Sequence, residues 1–297
     1  KMEKFIPEDD KDKSVKDINH DAMEEFLQSK RIEGKSQTTI YNYGNELSKL
    51  FMVINKDYRE ITTNDIREFM NYRLEQNHVS MRTIANIRMY LLSFYRWAQI
   101  EDKIHKNPMD KIPPIKYDKR IGNVLSEEDQ EVIRCACDNE RDLAIIDLLA
   151  GSGMRVSELT RLNRQDINFD TGEIKVFGKG SKERICYMTG RSKIHLRWYL
   201  ESRTDNNEAL FVTAKKPYSR LTKNGVEFIL KSIGKKTGIH LSPHSYRRSL
   251  ATNMLNKGAD ISVIQKTLGH NSSQTTIDCY AQMANDTLKQ AHHKYVY

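Results

Sequence analysis

Between residues 17 and 107 apolar side chains recur every third or fourth position in four separate runs, and no segment there makes a convincing strand. The first run, about 17–33, lines up Met23, Phe26 and Leu27. The second, after Ser36, carries Ile40, Tyr43, Leu47, Leu50 and Phe51. The third begins near Thr63 with Ile66, Phe69, Met70 and Leu74. The fourth begins near Ser80 with Ile84, Ile87, Leu91, Phe94 and Trp97. A single amphipathic helix leaves its apolar stripe in water, so four in succession predict a four-helix bundle over residues 17–105.

The polar faces of this bundle are distinctive. Lys35, Thr38, Asn42 and Asn45 fall on the second helix or just before it, and Arg82, Asn86 and Arg88 on the fourth. These residue types hydrogen-bond phosphates and base edges. Charge points the same way: residues 26–121 carry 17 basic against 11 acidic groups, in a chain with a formal net charge of +8. Residues 1–16 form a polar tail, of which residues 1–13 are too polar to fold alone.

Residues 106–123 hold three of the chain's six prolines and a run of basic residues, and read as a linker to a second domain over 124–283. Ser126 caps a helix expected to reach about Asn139, and Asp142 to Leu149 forms an apolar one. Asp166–Phe169, Glu173–Phe177 and Glu183–Met188 read as three short antiparallel strands joined at Thr171-Gly172 and at Gly178-Lys179-Gly180-Ser181-Lys182. Two further helices, 196–203 and 221–237, precede Gly238. The fold class is therefore mainly α with a small antiparallel β-sheet.

Residues 242–280 carry the densest chemistry. Ser242-Pro243 is an N-cap followed by a proline at the first helical position, which sets His244 and Arg247 on one face of a first turn that favours an anion. A second helix over 262–268 can close on Gly269 in a left-handed cap, leaving His270 at its end. Thr275 to Met283 reads as another helix, carrying Tyr280. Upstream, Gly151-Ser152-Gly153 permits a tight turn, and Arg155 starts a new helix. No nucleotide-binding glycine loop follows. No apolar run is long enough to span a membrane and no secretory signal pattern is present, so a soluble, cytoplasmic protein is expected. Cys135 and Cys137 lack the spacing of a zinc site, and the cysteines are expected to pack.

Taken together, G-x-R-x-x-E-L at Gly153–Leu159, G-K-G-x-K-x-R at Gly178–Arg184, H-x-x-R at His244–Arg247, L-G-H at Leu268–His270 and Tyr280 ten residues on resemble the active site of the tyrosine recombinases, the phage integrase family. The resemblance spans nearly the whole chain. It makes the N-terminal bundle a core-binding, SAM-like domain, whose start T-I-x-x-Y matches Thr39–Tyr43 with Tyr43 in the core. Two departures stand out: the family often has histidine where this chain has Arg248, and its gap from histidine to tyrosine is about nine residues against ten here.

The resemblance implies six catalytic residues, Arg155, Lys179, His244, Arg247, His270 and Tyr280, working without metal or other cofactor. Tyr280 would attack the scissile phosphate to give a 3′-phosphotyrosyl link. Arg155 and Arg247 would hold the non-bridging oxygens, and Lys179 would protonate the leaving 5′ oxygen. The tasks of His244 and His270 stay open. Glu158 would support the fold or orient Arg155. Lys182, Arg184 and Arg248 are expected to contact DNA. The family further implies double-stranded DNA with paired half-sites, a homo-tetramer on two sites, a Holliday junction, and a C-terminal segment, here 284–297, that docks on a neighbouring protomer. A topoisomerase of type IB shares the chemistry, and a non-catalytic DNA-binding protein could clamp a duplex between the same two domains; both stand as alternatives.

Overall fold

The computed structural model describes residues 13–118, 124–178 and 183–269. The chain divides into two compact units after Arg120.

The first unit is the bundle that the apolar spacing predicts: α1 (Val15–Ile32), α2 (Gln37–Ile54), α3 (Thr63–Glu75) and α4 (Met81–Ile100). Each helix starts where a hydroxyl can serve an otherwise unpaired N–H. Ser36 and Ser80 accept from the N–H groups of Thr39 and Thr83, and Thr62 exchanges bonds with Asp65 in a capping box. Phe26, Leu47, Ile66, Phe69, Ile87, Leu91 and Phe94 are buried at the centre. Phe94 meets Phe26 edge-on, ring centroids 5.4 Å apart, an arrangement that sets the positive ring edge against a negative face. Tyr43 is buried beside Phe26, as the apolar spacing requires.

The proline-rich segment is not free chain from its start. Asn107, Met109 and Ile112 are buried against the bundle, the Thr63 hydroxyl donates to the Pro108 carbonyl at 2.7 Å, and Arg88 donates twice to the Ile112 carbonyl, at 2.9 and 2.6 Å. Proline marks irregular backbone; whether that backbone packs is decided by the apolar groups between the prolines.

The second unit comprises α5 (Glu127–Cys135), α6 (Glu140–Ser152), α7 (Val156–Leu159), β1 (Glu173–Phe177), β2 (Glu183–Tyr187), α8 (Gly190–Glu201), α9 (Lys223–Thr237), α10 (Pro243–Asn256) and α11 (Ile261–Leu268). Its core runs from Ile133 through Ile145, Leu148 and Leu149 of α6 to Leu196 of α8 and Leu230 of α9. The buried Asp147 carboxylate of α6 accepts from Arg134 of α5 and pairs with His195 of α8, which joins three helices through one charge.

Three expectations are corrected here. The helix starting at Ser126 stops at Cys135, because Asn139 caps the next helix by accepting from the Asp142 N–H at 3.0 Å. Asp166–Phe169 is no strand: Arg164–Asp166 winds into a 3-10 turn, and only Ile167 bridges to Ile174, so the sheet has two strands, with Lys175 opposite Ile185. Cys135 is exposed rather than packed, whereas Cys186 is buried and its thiol is pushed up to about 11 by that burial.

Candidate active site

The site is assembled around the C-terminal end of α11. A helix leaves its last carbonyls without intrahelical partners, and here three arginines from three other elements take three of them in succession. Arg184 of β2 donates to Thr267 O at 2.6 Å, Arg247 of α10 to Leu268 O at 2.5 Å, and Arg155, just before α7, to Gly269 O at 2.7 Å.

Each arginine arrives by a local rule. Gly153 closes α6 with φ of +59°, and a side chain there would meet Leu250 and Leu268 at 2.7 and 2.8 Å. That reversal turns the Gly153 carbonyl towards Arg247, which donates to it at 2.8 Å, and sets Arg155 as the extended residue that opens α7. Ser242 caps α10 by accepting from the Ser245 N–H, with Pro243 in its first turn, so Arg247 lies one turn in and is buried. Gly269 closes α11 with φ of +63°, and a Cβ there would strike Arg184 Cδ at 2.7 Å. The glycine of L-G-H is thus required twice, by backbone conformation and by the arginine packed against it.

One carboxylate holds the cluster together. Glu158, its side chain 2 % exposed, accepts from the Arg155 backbone N–H at 2.7 Å and from the Arg155 guanidinium at 2.8 Å. Arg184 donates at 2.8 Å to Oε2, the oxygen that also accepts from the Arg155 backbone N–H. Burial by itself would raise the Glu158 carboxyl, but the Arg155 N–H and the Arg184 and Arg155 guanidinium groups outweigh it and hold the group below the ordinary glutamate value of 4.5. Two guanidinium groups bond this single carboxylate and Arg247 lies beside them on backbone carbonyls, so the cluster carries positive charge in excess. Arg247 registers it: burial first, then the repulsion of Arg155 and Arg184, lowers it to about 10. It remains charged at neutral pH. An anion entering here relieves that repulsion, and planar guanidinium forks suit the oxygens of a phosphate.

His244 stands on the first turn of α10, three residues before Arg247, with its side chain exposed. Its pKa is lowered from 6.5 by partial desolvation, then by Arg247, Arg248, Lys223 and Arg155. The unfolded chain therefore binds this proton more readily, and the contribution of His244 to stability is complete above pH 6.5 and is lost as pH falls. In the DNA-free protein the ring is expected to titrate below 6.5, and a phosphate bound at this turn is expected to raise it. Titrating the His244 ring protons by NMR, free and with DNA, checks both; a midpoint unmoved by DNA counts against an anion here.

Of the other expected site residues, Lys179, Lys182, His270 and Tyr280 lie outside the described residues. Arg248 is half-buried on α10. Arg184 gives its guanidinium to Glu158 and to Thr267 O, with the side chain 14 % exposed. Arg88 is likewise committed, to Ile112 O. Lys35, Thr38, Arg82 and Asn86 are exposed, and Asn42 and Asn45 half-exposed. The role of Arg184 had one legible sign: β2 alternates, which puts Arg184 on the same inward face as buried Cys186.

Both units of the chain resemble known proteins. Residues 123–286 match the phage integrase family, and residues 22–104 match the phage integrase N-terminal SAM-like domain. The tyrosine recombinase XerA of Pyrococcus horikoshii is 33% identical over 276 residues, covering 92% of this chain and 93% of its own length. The tyrosine recombinase XerC of Staphylococcus aureus is 30% identical over 289 residues, covering 93% and 96%. Among solved structures, that of XerA recombinase matches with a TM-score of 0.53 at 27% identity, over 93% of this chain and 98% of that one. The XerH site-specific recombinase bound to palindromic difH substrate matches with a TM-score of 0.72 at 20% identity, over 94% and 84%, a likeness of fold.

Proposed function

The chain belongs to the phage integrase family and is a site-specific tyrosine recombinase acting on DNA, and from that premise we propose how its residues divide the reaction. The Tyr280 oxygen attacks the scissile phosphorus as the bond to the 5′ oxygen breaks, leaving a 3′-phosphotyrosyl link and a free 5′-hydroxyl. Lys179 supplies the proton to the departing oxygen, and Arg155 and Arg247 bind the non-bridging oxygens while charge builds on them. His244 and His270 flank the phosphate, as hydrogen-bond donors or as carriers of the tyrosine proton. Rejoining reverses the step with a 5′-hydroxyl from the other duplex. One P–O bond is made for each broken, so no nucleotide triphosphate is consumed.

The observation that carries this is the convergence of Arg155 and Arg247 on the end of α11, whose cap Gly269 is followed in the sequence by His270. A surplus of fixed cations does here what divalent ions do in metal-dependent nucleases. We therefore expect cleavage in EDTA to run within about twofold of its rate with magnesium. The test is a nicked suicide duplex, whose escaping fragment traps the enzyme on DNA, incubated in EDTA and followed by mass spectrometry of the adduct. A DNA-linked peptide containing Tyr280 supports the assignment. Strict dependence of cleavage on magnesium, or a different linked residue, refutes it.

In this reading the N-terminal unit lays α2 and α4 against the duplex, with Lys35, Thr38, Asn42, Asn45, Arg82 and Asn86 as contacts. These side chains are exposed or half-exposed, and the helices pack on each other through Tyr43 and Tyr90, whose rings lie 5.1 Å apart. Four copies on two sites, a Holliday junction, and docking of residues 284–297 on a neighbour complete the proposal. Among the described residues no helix is long and apolar enough to cross a membrane; we place the protein in the cytoplasm, with the nucleoid when bound to DNA.

A further inference from the structure

Arg184 occupies a place that neither DNA contact nor simple packing accounts for. One nitrogen of its guanidinium donates to Glu158 at 2.8 Å, and the other donates to Thr267 O at 2.6 Å. Glu158 is the carboxylate that fixes both the backbone and the side chain of Arg155, while Thr267 belongs to the last turn of the helix whose Gly269 carbonyl Arg155 itself takes. Arg155 is thus held at both ends of its fork, and Arg184 joins the two holders to each other. The Arg184 Nε is buried without a partner among the described residues. A buried guanidinium–carboxylate pair adds little stability over an apolar pair of equal volume. What it adds is a fixed direction, because a planar fork bonds well in only one geometry.

We infer that Arg184 is a positioning residue of the cleavage reaction, which aims the Arg155 guanidinium at the scissile phosphate by tying Glu158 to the last turn of α11. This rests on the assignment of Arg155 to a non-bridging phosphate oxygen. Were Arg184 lost, Glu158 would keep Arg155 as its partner, but that pair would lose its anchor on α11. The charge near the phosphate would persist and its direction would not.

Replacing one non-bridging oxygen of the scissile phosphate by methyl tests this directly. The methylphosphonate is neutral and develops less charge as it is attacked, so it depends less on an aimed guanidinium. Wild type, Arg155→Ala, Arg184→Met and Arg184→Lys are compared on suicide duplexes carrying either linkage, reading the rate of covalent adduct. On the phosphodiester, Arg184→Met is expected to slow cleavage roughly 10- to 100-fold, the scale of a misdirected charge-assisted bond. On the methylphosphonate it should fall within about threefold of wild type, as Arg155→Ala does. Arg184→Lys keeps the charge but cannot span both partners, so it should fall between.

Both linkages are measured on one preparation, so their ratio does not depend on how much protein is folded. If Arg184→Met does not fold, the Arg184→Lys ratio carries the comparison. Equal losses on both linkages in the Arg184 variants, with Arg155→Ala recovered by methylphosphonate, overturn the inference and leave Arg155 in its role. If Arg155→Ala is not recovered either, the assignment of Arg155 falls and takes the inference with it.

Discussion

In the Tyr280→Phe protein covalent DNA adduct is expected to vanish, a loss of at least about 10⁴-fold in cleavage, the scale seen when a nucleophile is removed from an otherwise intact site. The substitution removes one oxygen and leaves Arg155, Arg247 and their partners untouched. DNA affinity should therefore stay within a few-fold of wild type, since at most one hydrogen bond is lost. Denaturing gels of suicide-substrate reactions report the adduct, and mobility shifts report the binding. Tyr295 and Tyr297 are the only later tyrosines in the chain. Adduct formed by the Phe variant would move the nucleophile to one of them; loss of adduct together with binding would show only that the protein was damaged.

Glu158→Ala is expected to produce the largest loss of stability in the second unit. The carboxylate is buried, and its removal leaves Arg155 and Arg184 without their counter-charge beside a third cation, Arg247. Removing one partner of a buried ion pair costs about 3–5 kcal/mol. For a unit of this size that corresponds to roughly 10 °C or more in thermal midpoint. Glu158→Gln keeps the shape and one acceptor, so it should lose less, about 1–3 kcal/mol. The pH dependence separates charge from packing. Because the Glu158 carboxyl lies below 4.5 in the folded protein, its contribution is complete above that pH and is lost as the pH falls further. Wild type should therefore lose stability on acidification more steeply than the Gln variant. Urea midpoints measured from pH 7 down to pH 3 give the comparison, and parallel curves would show that the Glu158 charge contributes nothing.

Much of the fold was legible because helices announce themselves locally. Apolar spacing located α1 to α4 to within a few residues, and the capping hydroxyls of Ser36, Thr62, Ser80, Ser126 and Ser242 act within three positions along the chain. The same holds for the glycines: Gly269 sits in the left-handed cap expected of it, and Gly153, read as part of a tight turn, closes α6 in another. The misplaced strand at Asp166–Phe169 shows the limit of local patterns. A strand exists only if a neighbour supplies a ladder, and the 3-10 turn at Arg164–Asp166 leaves room for a single bridge.

The sequence by itself determined the two-part organisation, the mainly helical class and the order of motifs that identifies the family. These depend on residue type and spacing, which a chain displays openly. The duties of individual arginines were decided only by the tertiary structure. Arg88 and Arg184 look like any DNA-binding arginine in the sequence, yet each bonds a backbone carbonyl, that of Ile112 in one case and, 83 residues away, that of Thr267 in the other. Every residue has a carbonyl, so no residue type marks which one will be left unpaired at a helix end. Only the folded chain brings donor and acceptor together, and at the end of α11 it does so three times over.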